Sequence, residues 1–318
     1  MDIRIAKGHL SLLAAASMWG LMSPIGKAAM DAGITGLLLA NMRMIGGAVC
    51  FWVASMFAPK EKVSSRDLQL LFFASLLGIV CNQGCFTFGL SLTSPVDASI
   101  MTTTMPIITM VLAALFLKEP VTSMKVIGIF LGSIGALVLI VSNVGNVQEG
   151  GSIGGDVLCV AAQLSFACYL TIFKKLIARY NVFTLMKWMF TYAVICFIPF
   201  SYRDFTSTDF SMFTSTVWLE VGFVVFFGTF VAYLMMVVGQ KTLRPTVVSM
   251  YNYVQPVVGS SVAVFMGLAT FGWVKALAAI MIFVGVYVVT QSKSRAQVLA
   301  ERKQQEGLSN CGTDDEGK

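Results

Sequence analysis

Apolar stretches of about twenty residues, enough to cross a hydrocarbon core about 30 Å thick, follow one another along the whole chain with almost nothing between them. They fall near 10–30, 35–58, 68–91, 94–117, 124–142, 155–177, 183–202, 217–239, 245–267 and 273–292. The joints are short and carry breakers or charges: Asp31 to Gly33, Pro59 to Asp67, Glu119-Pro120, Asn143 to Gly155, Tyr202 to Ser215 and Arg244-Pro245. None is long enough to hold a water-soluble domain. Only 12% of residues are charged, about half the usual share of a soluble domain. Too few polar side chains remain to cover a globule, which excludes a soluble enzyme, a nucleic-acid binder and a disordered chain. A β-barrel would show alternating segments of about ten residues. The expected fold is therefore all-α, a polytopic membrane protein with ten transmembrane helices.

The first span resembles a signal peptide, with Arg4 and Lys7 ahead of it and Ala14 to Ala16 as a cleavage-like site. The apolar run continues to Met30, so the segment reads as a retained helix. Lysine and arginine set the orientation. The N-terminus and every second loop hold Arg4 and Lys7; Lys60, Lys62 and Arg66; Lys118 and Lys125; Lys174, Lys175 and Arg179; Lys241 and Arg244; and the tail from Lys293 onward. The opposite loops hold only Arg203 and Lys275. The positive-inside rule then expects both termini in the cytoplasm of a multi-pass protein of the cell (inner or plasma) membrane. Cys50, Cys81, Cys85, Cys159, Cys168 and Cys196 lie within apolar segments, and Cys311 in the tail. They read as small packing residues, with no metal site and no cofactor expected.

Residues 78–142 align without a gap on 228–292 at an offset of 150 residues, pairing Gly78 with Gly228, Gly89 with Gly239 and Pro95 with Pro245. The same offset pairs Ser99 with Ser249, Pro106 with Pro256, Lys125 with Lys275 and Gly135 with Gly285. Upstream, Lys27 falls on Lys174 at an offset of 147. The matches are mostly glycines and prolines, which end or bend helices. Two five-helix halves follow, 1–142 and 154–292, with 293–318 a cytoplasmic tail, partly disordered. Five is odd, so the second half enters from the other side and the repeat is inverted. That geometry underlies alternating access, though duplication kept only for packing would leave the same trace.

Pro106 and Pro256 fall near the middle of spans four and nine, where each frees the carbonyl four residues back, at Thr102 and Asn252. Freed carbonyls at that depth need a cavity, water or hydroxyls. Candidate cavity residues are Thr102 beside Thr103 and Thr104, and Tyr251, Asn252, Tyr253 and Gln255 on the mate helix. Trp19 (with Ser23 and Pro24), Asn82, Gln83, Gln163, Ser165, Tyr169 and Tyr233 are further polar or amphipathic residues at mid-span. Each taken alone is more often interhelical glue than a ligand contact. Asn82 and Gln83 are adjacent and cannot share a helix face, so at most one is expected to line a common cavity. Gly46-Gly47, and Gly128 with Gly132, read as close helix packing, leaving monomer and homodimer both open.

Lys27 and Lys187 lie within reach of a span end and are expected at the interface. Arg43 lies about 12 Å deep, so it reads as cavity-facing or held by backbone carbonyls. No carboxylate occupies a span centre: Glu220 is one turn into its span, and Asp97 sits in a first turn. His9 is at the cytoplasmic edge. Without a buried carboxylate or histidine relay, facilitated or exchange transport is favoured over proton coupling.

The run Phe116 to Pro120, with Glu119, then Lys125, Gly128, Gly132 and Gly135-Ala136, resembles the end of an EamA domain. In that family a helix closes on Leu-x-Glu and a glycine-spaced helix follows. Trp19-Gly20, Lys27, Arg43, Pro106 and Pro256 fit the same layout across residues 10–292. The resemblance implies the ten-helix drug/metabolite transporter superfamily, whose members export amino acids, other metabolites or drugs, or carry nucleotide sugars or sugar phosphates. It also implies a central cavity formed by helices one, three, four, six, eight and nine. The second half departs from the pattern: Gly267, Leu268 and Ala269 replace the Leu-x-Glu end.

The leading expectation is an exporter of amino acids or related compounds. Trp19, Tyr169, Tyr233, Tyr251 and Tyr253 would hold the solute's apolar part, and amides and freed carbonyls its polar head. Multidrug or nucleotide-sugar transport is the alternative, although a diphosphate would want several deep cations and only Arg43 qualifies. An intramembrane enzyme would need a base and nucleophile or metal ligands at depth, and the sequence has no HExxH and no carboxylate pair. A non-transporting sensor or assembly protein is the remaining class. The expected partners are a small-molecule solute and the lipid bilayer, with no nucleic acid.

Overall fold

The computed structural model describes residues 3–93, 95–142, 152–265, 272–293, 297, 298 and 300. Among them there is helix and no strand. The order is α1 (Ile3–Asp31), α2 (Gly36–Met56), α3 (Ser65–Ser75) running through a π-helical turn (Leu76–Cys81) into α4 (Asn82–Leu92), α5 (Pro95–Thr102), α6 (Met105–Leu117) and α7 (Ser123–Ser142). Then come α8 (Ile153–Ile172), α9 (Lys174–Arg179), α10 (Val182–Ser207), and α11 (Ser215–Val225) running through a second π-helical turn (Phe226–Val231) into α12 (Ala232–Thr242). Last are α13 (Pro245–Met250), a 3-10 turn (Tyr251–Tyr253), α14 (Val254–Phe265) and α15 (Trp273–Gln291).

Among the described residues, eight helical stretches are long and apolar enough to cross a membrane: 36–56, 65–90, 97–117, 123–142, 153–172, 182–207, 215–242 and 273–291. Two of the ten expected spans, 10–30 and 245–267, are not among the eight. The first is helical throughout but diluted by Ser11, Trp19, Gly20, Pro24 and Lys27; the second is interrupted at Tyr251–Tyr253. The Gly267 to Ala269 segment, and Cys311 in the tail, lie outside the described residues.

The helix ends follow from local chemistry. Thr35, Ser64 and Asn181 cap α2, α3 and α10 by accepting from the backbone N–H groups of Leu38, Asp67 and Phe183, satisfying donors that have no partner inside the helix. α6 closes on Lys118 in the left-handed region (φ 53°), and Glu119 N–H then reaches back to Ala113 O at 3.1 Å. That reversal turns Glu119 into the bundle.

Helices of one repeat pack chiefly on helices of the other. A methyl built at Gly89 of α4 would lie 2.8 Å from Gly155 O of α8. At the matching position, Gly239 of α12 meets Leu12 and the Gly8 carbonyl of α1. α7 and α15 touch backbone to backbone: added methyls at Gly128 and Gly285 would lie 2.8 and 2.6 Å from each other's carbonyl oxygens, and one at Gly135 would lie 2.7 Å from Ala278 O. Gly128 thus opposes Gly285 while Gly135 opposes Ala278, so these two equivalent helices run antiparallel. In the α2–α10 pair, Asn41 meets Ser201 while Trp52 meets Thr191, again antiparallel.

Large apolar side chains such as Leu115, Ile127, Ile195 and Leu219 project outward, while Ser75, Thr109, Thr229 and Ser249 are fully buried. A water-soluble protein would not place them so. In lipid, where apolar burial gives helices no advantage over tails, small residues and hydrogen bonds hold the interior. One end of the bundle gathers Lys118, Lys125, Lys174, Arg179, Lys241 and Arg244, linked by Arg179 to Asp67 (2.8 Å), Thr246 to Glu119 (3.1 Å) and Lys241 to the Tyr180 carbonyl.

Candidate functional site

The two π-helical turns stand 150 residues apart, at Leu76–Cys81 and Phe226–Val231. A π-turn widens the helix, leaves carbonyls open to outside donors and recurs at functional sites. Both turns are used in this way. Ser165 Oγ donates to Leu77 O at 2.7 Å in the first, and Trp19 Nε1 to Gly228 O at 3.1 Å in the second. Each also presents a glycine to a bulky partner: the Tyr169 ring covers Gly78, and Met22 covers Gly228.

Equivalent interruptions occur in the proline-bearing helices. Between α5 and α6, Thr103 and Thr104 N–H bond three residues back to Ile100 and Met101, and Pro106 begins the new helix. The hydroxyls of Thr102, Thr103 and Thr104 each bond the carbonyl three residues back. The Thr103 carbonyl accepts from Tyr253 OH at 2.9 Å, and that hydroxyl also meets Ser133 Oγ at 2.7 Å. Tyr253 itself lies in the matching interruption, where Pro256 follows at the start of α14. The two breaks are therefore bonded to one another.

Beside them lies a small void lined by α1, α6, α8, α12 and α13 and by the 3-10 turn, and hence by both repeats. Its wall includes Trp19, Tyr251 and Asn252 together with Leu12, Met105 and Met236. Asn252 donates to the Met105 sulfur, and its Oδ1 accepts from Gln255 Nε2 at 3.1 Å. Tyr251 OH meets His9 Nδ1 at 2.8 Å. Trp19 stands edge-on to Tyr233 at 5.6 Å, and Tyr233 edge-on to Phe190 at 5.2 Å.

Behind Tyr233 runs a polar chain. Arg43 is buried; its Nε donates to Thr229 Oγ1 at 3.0 Å and its Nη1 to Gln83 Oε1 at 3.1 Å. Gln83 Nε2 donates to Asn82 Oδ1 at 3.0 Å, and Asn82 Nδ2 to Ala162 O at 3.0 Å. Asn82 and Gln83 do not compete for one cavity face. They are consecutive links of one network, and neither lines the void.

The candidate residues therefore fall into groups. Trp19, Tyr251 and Asn252 meet around the void, with Gln255 one hydrogen bond behind. Arg43, Asn82 and Tyr233 gather in the adjoining network. Gln163 and Tyr169 are buried, and Tyr169 OH donates to Gln240 Oε1 at 3.2 Å. Thr102 ends α5, bonded to its own backbone. Lys187 stacks over Trp52 at 4.8 Å, and the Lys27 side chain lies outside the described residues. Sequence reasoning missed Thr229 and the role of Gln83. A mid-span arginine needing neutral acceptors was the signal that could have found them.

Such an arrangement defines a helical membrane protein of two repeats with a small amphipathic cavity between them. The chain belongs to the EamA-like transporter family, whose model matches residues 6–141 and 153–291. It is a multi-span membrane transporter of small solutes. It is 23% identical over 253 residues to an uncharacterized transporter, YetK, of Bacillus subtilis, covering 78% of this chain and 76% of that one. An uncharacterized transporter of Archaeoglobus fulgidus is 25% identical over 235 residues, 70% of this chain and 78% of its own. The Protein WALLS ARE THIN 1 of Arabidopsis thaliana is 32% identical over a shorter stretch of 116 residues, 36% of this chain and 30% of its own. A solved crystal structure at 19% identity superposes with a TM-score of 0.73 over 93% of this chain and 98% of that one, a likeness of fold alone.

Proposed function

We propose that the protein exports a small amphipathic metabolite, an amino acid or related compound, across the cell membrane by alternating access. Ten helices cross the bilayer as two inverted five-helix repeats, with both termini in the cytoplasm. The observation carrying this reading is the void at the interrupted helices, with walls drawn from both repeats. Helix interruptions in a membrane are tolerated where they line a cavity or are bonded to neighbours. The antiparallel packing of α7 on α15 supports inversion, and the basic end of the bundle supports the orientation. Trp19 and Tyr251 offer faces to the apolar part of the solute, while Asn252, held by Gln255 behind it, supplies an amide to its head. Thr102, Tyr169 and Gln163 act behind this surface by holding the helices.

Purified protein reconstituted into liposomes tests the reading with radiolabelled amino acids. Asn252→Ala and Gln255→Ala are each expected to abolish flux while membrane expression stays normal. Undiminished flux in both variants would remove the cavity from this position.

A further inference from the structure

A second small cavity lies at the basic end of the bundle, beyond Val248, which borders both voids. Its walls are mainly apolar, from Leu170, Ile177, Leu243 and Val248, and two polar side chains, Lys174 and Gln240, line it. Gln240 is only 6% exposed. Its Oε1 accepts from Tyr169 OH, whereas its Nε2 has no partner among the described residues. An amide donor buried without a partner is costly, so the site is incomplete without something to accept from it.

The local charge is unbalanced in the same direction. Lys174 stands in the field of Lys125, Arg244 and Glu119, three cations in all with one carboxylate. That carboxylate is already engaged through Oε2 with Lys125 at 2.9 Å and Thr246 at 3.1 Å. Burial holds the Lys174 ammonium below its ordinary range, with Glu119 opposing that shift. A cation and an orphan N–H donor facing an apolar pocket are complementary to one kind of ligand.

We propose that this pocket is a binding site for an amphipathic anion, a carboxylate or phosphate head held by Lys174 Nζ and Gln240 Nε2 with a short apolar body against Leu170, Ile177 and Val248. The site goes beyond the transport reading: it is separate from the central void and stands or falls on binding alone. A water-soluble carboxylate and the headgroup of an anionic lipid share this chemistry, and the experiment separates them.

The test uses the full chain in nanodiscs of phosphatidylcholine, with thermal unfolding followed by tryptophan fluorescence. Hexanoate is added in one arm, with uncharged hexanamide as control; phosphatidylglycerol is doped into the discs in the other. A ligand that binds the native state raises the melting temperature by mass action. A saturable rise with hexanoate and none with hexanamide is expected. If phosphatidylglycerol also raises the melting temperature and competes with hexanoate, the occupant is a lipid headgroup at the same site. Gln240→Glu keeps the acceptor for Tyr169 OH and gives Lys174 a fixed counter-charge. It is therefore expected to melt no lower than wild type without ligand, yet to bind hexanoate at least about tenfold more weakly. Lys174→Gln is expected to weaken it similarly. No rise with either probe, or undiminished hexanoate binding in both variants, overturns the proposal.

Discussion

Lys125→Met tests what the buried ion pair at the basic end contributes. Lys125 Nζ lies 2.9 Å from Glu119 Oε2 and 2.9 Å from the Pro120 carbonyl, and the two charged side chains are 1% and 7% exposed. Methionine fills nearly the same space without the charge. Removing the ammonium leaves a buried carboxylate whose Oε1 already has no partner among the described residues, and takes a donor from the Pro120 carbonyl. Breaking one side of a buried pair costs about 3–5 kcal/mol. Thr246 still donates to Glu119, and Lys174 and Arg244 still attract it, which places the loss near the lower bound, about 3 kcal/mol. Glu119→Gln in the same molecule removes the stranded charge, so the double variant is expected to recover to within about 1 kcal/mol of wild type. Equilibrium unfolding in mixed detergent micelles reads both values. A loss below about 1 kcal/mol in the single variant, or a double variant no better than the single, would refute the claim that an uncompensated charge is what destabilises.

Two further outcomes follow from packing and hydrogen bonding. Gly285→Val drives a side chain into the Gly128 carbonyl and should separate α7 from α15, lowering stability by at least about 2 kcal/mol; Gly222→Ala, where nothing lies within 4 Å, should cost nothing in the same assay. Equal behaviour of the two would mean that the α7–α15 contact is looser than described. Tyr253→Phe strips one hydroxyl from both Ser133 Oγ and the Thr103 carbonyl; a loss of about 1 kcal/mol is expected, and Ser133→Ala made on top of it should add little. Full additivity would show that the two contacts are independent.

Much of this architecture was written locally. The helix boundaries are close to where capping residues and breakers put them: Thr35, Ser64 and Asn181 start helices, and Pro95 and Pro245 do the same in both halves. The offset of 150 residues read from Gly78, Gly89, Pro95 and Pro106 reappears in the two π-helical turns, although nothing in the residue pattern announced a π-turn. Two spans resisted. α1 and the 245–265 segment are diluted or interrupted, because the residues that make a cavity useful are those that spoil an apolar run.

The site was less legible than the frame. Trp19, Tyr251 and Asn252 come together around the void, whereas Tyr169 is buried against Gly78, a position its helix spacing does not distinguish from the cavity wall. Adjacency alone says that Asn82 and Gln83 do not share a helix face, but not that they join in series from Arg43 to the Ala162 carbonyl. Face arguments treat a helix as a cylinder with side chains pointing along fixed radii. Long amides reach around it to each other, and the π-turn just before Asn82 shifts the register.

Composition and spacing alone determined that this chain is a helical membrane protein in two halves, because the bilayer forces every backbone group to be satisfied within its own segment and leaves little freedom beyond length and breakers. Only the tertiary structure decided which polar groups meet: Arg43 with Thr229, Tyr253 with Thr103, Gln240 with Tyr169. Those pairings are set by how two repeats lean on one another, a relation between residues far apart in the chain that local chemistry does not encode.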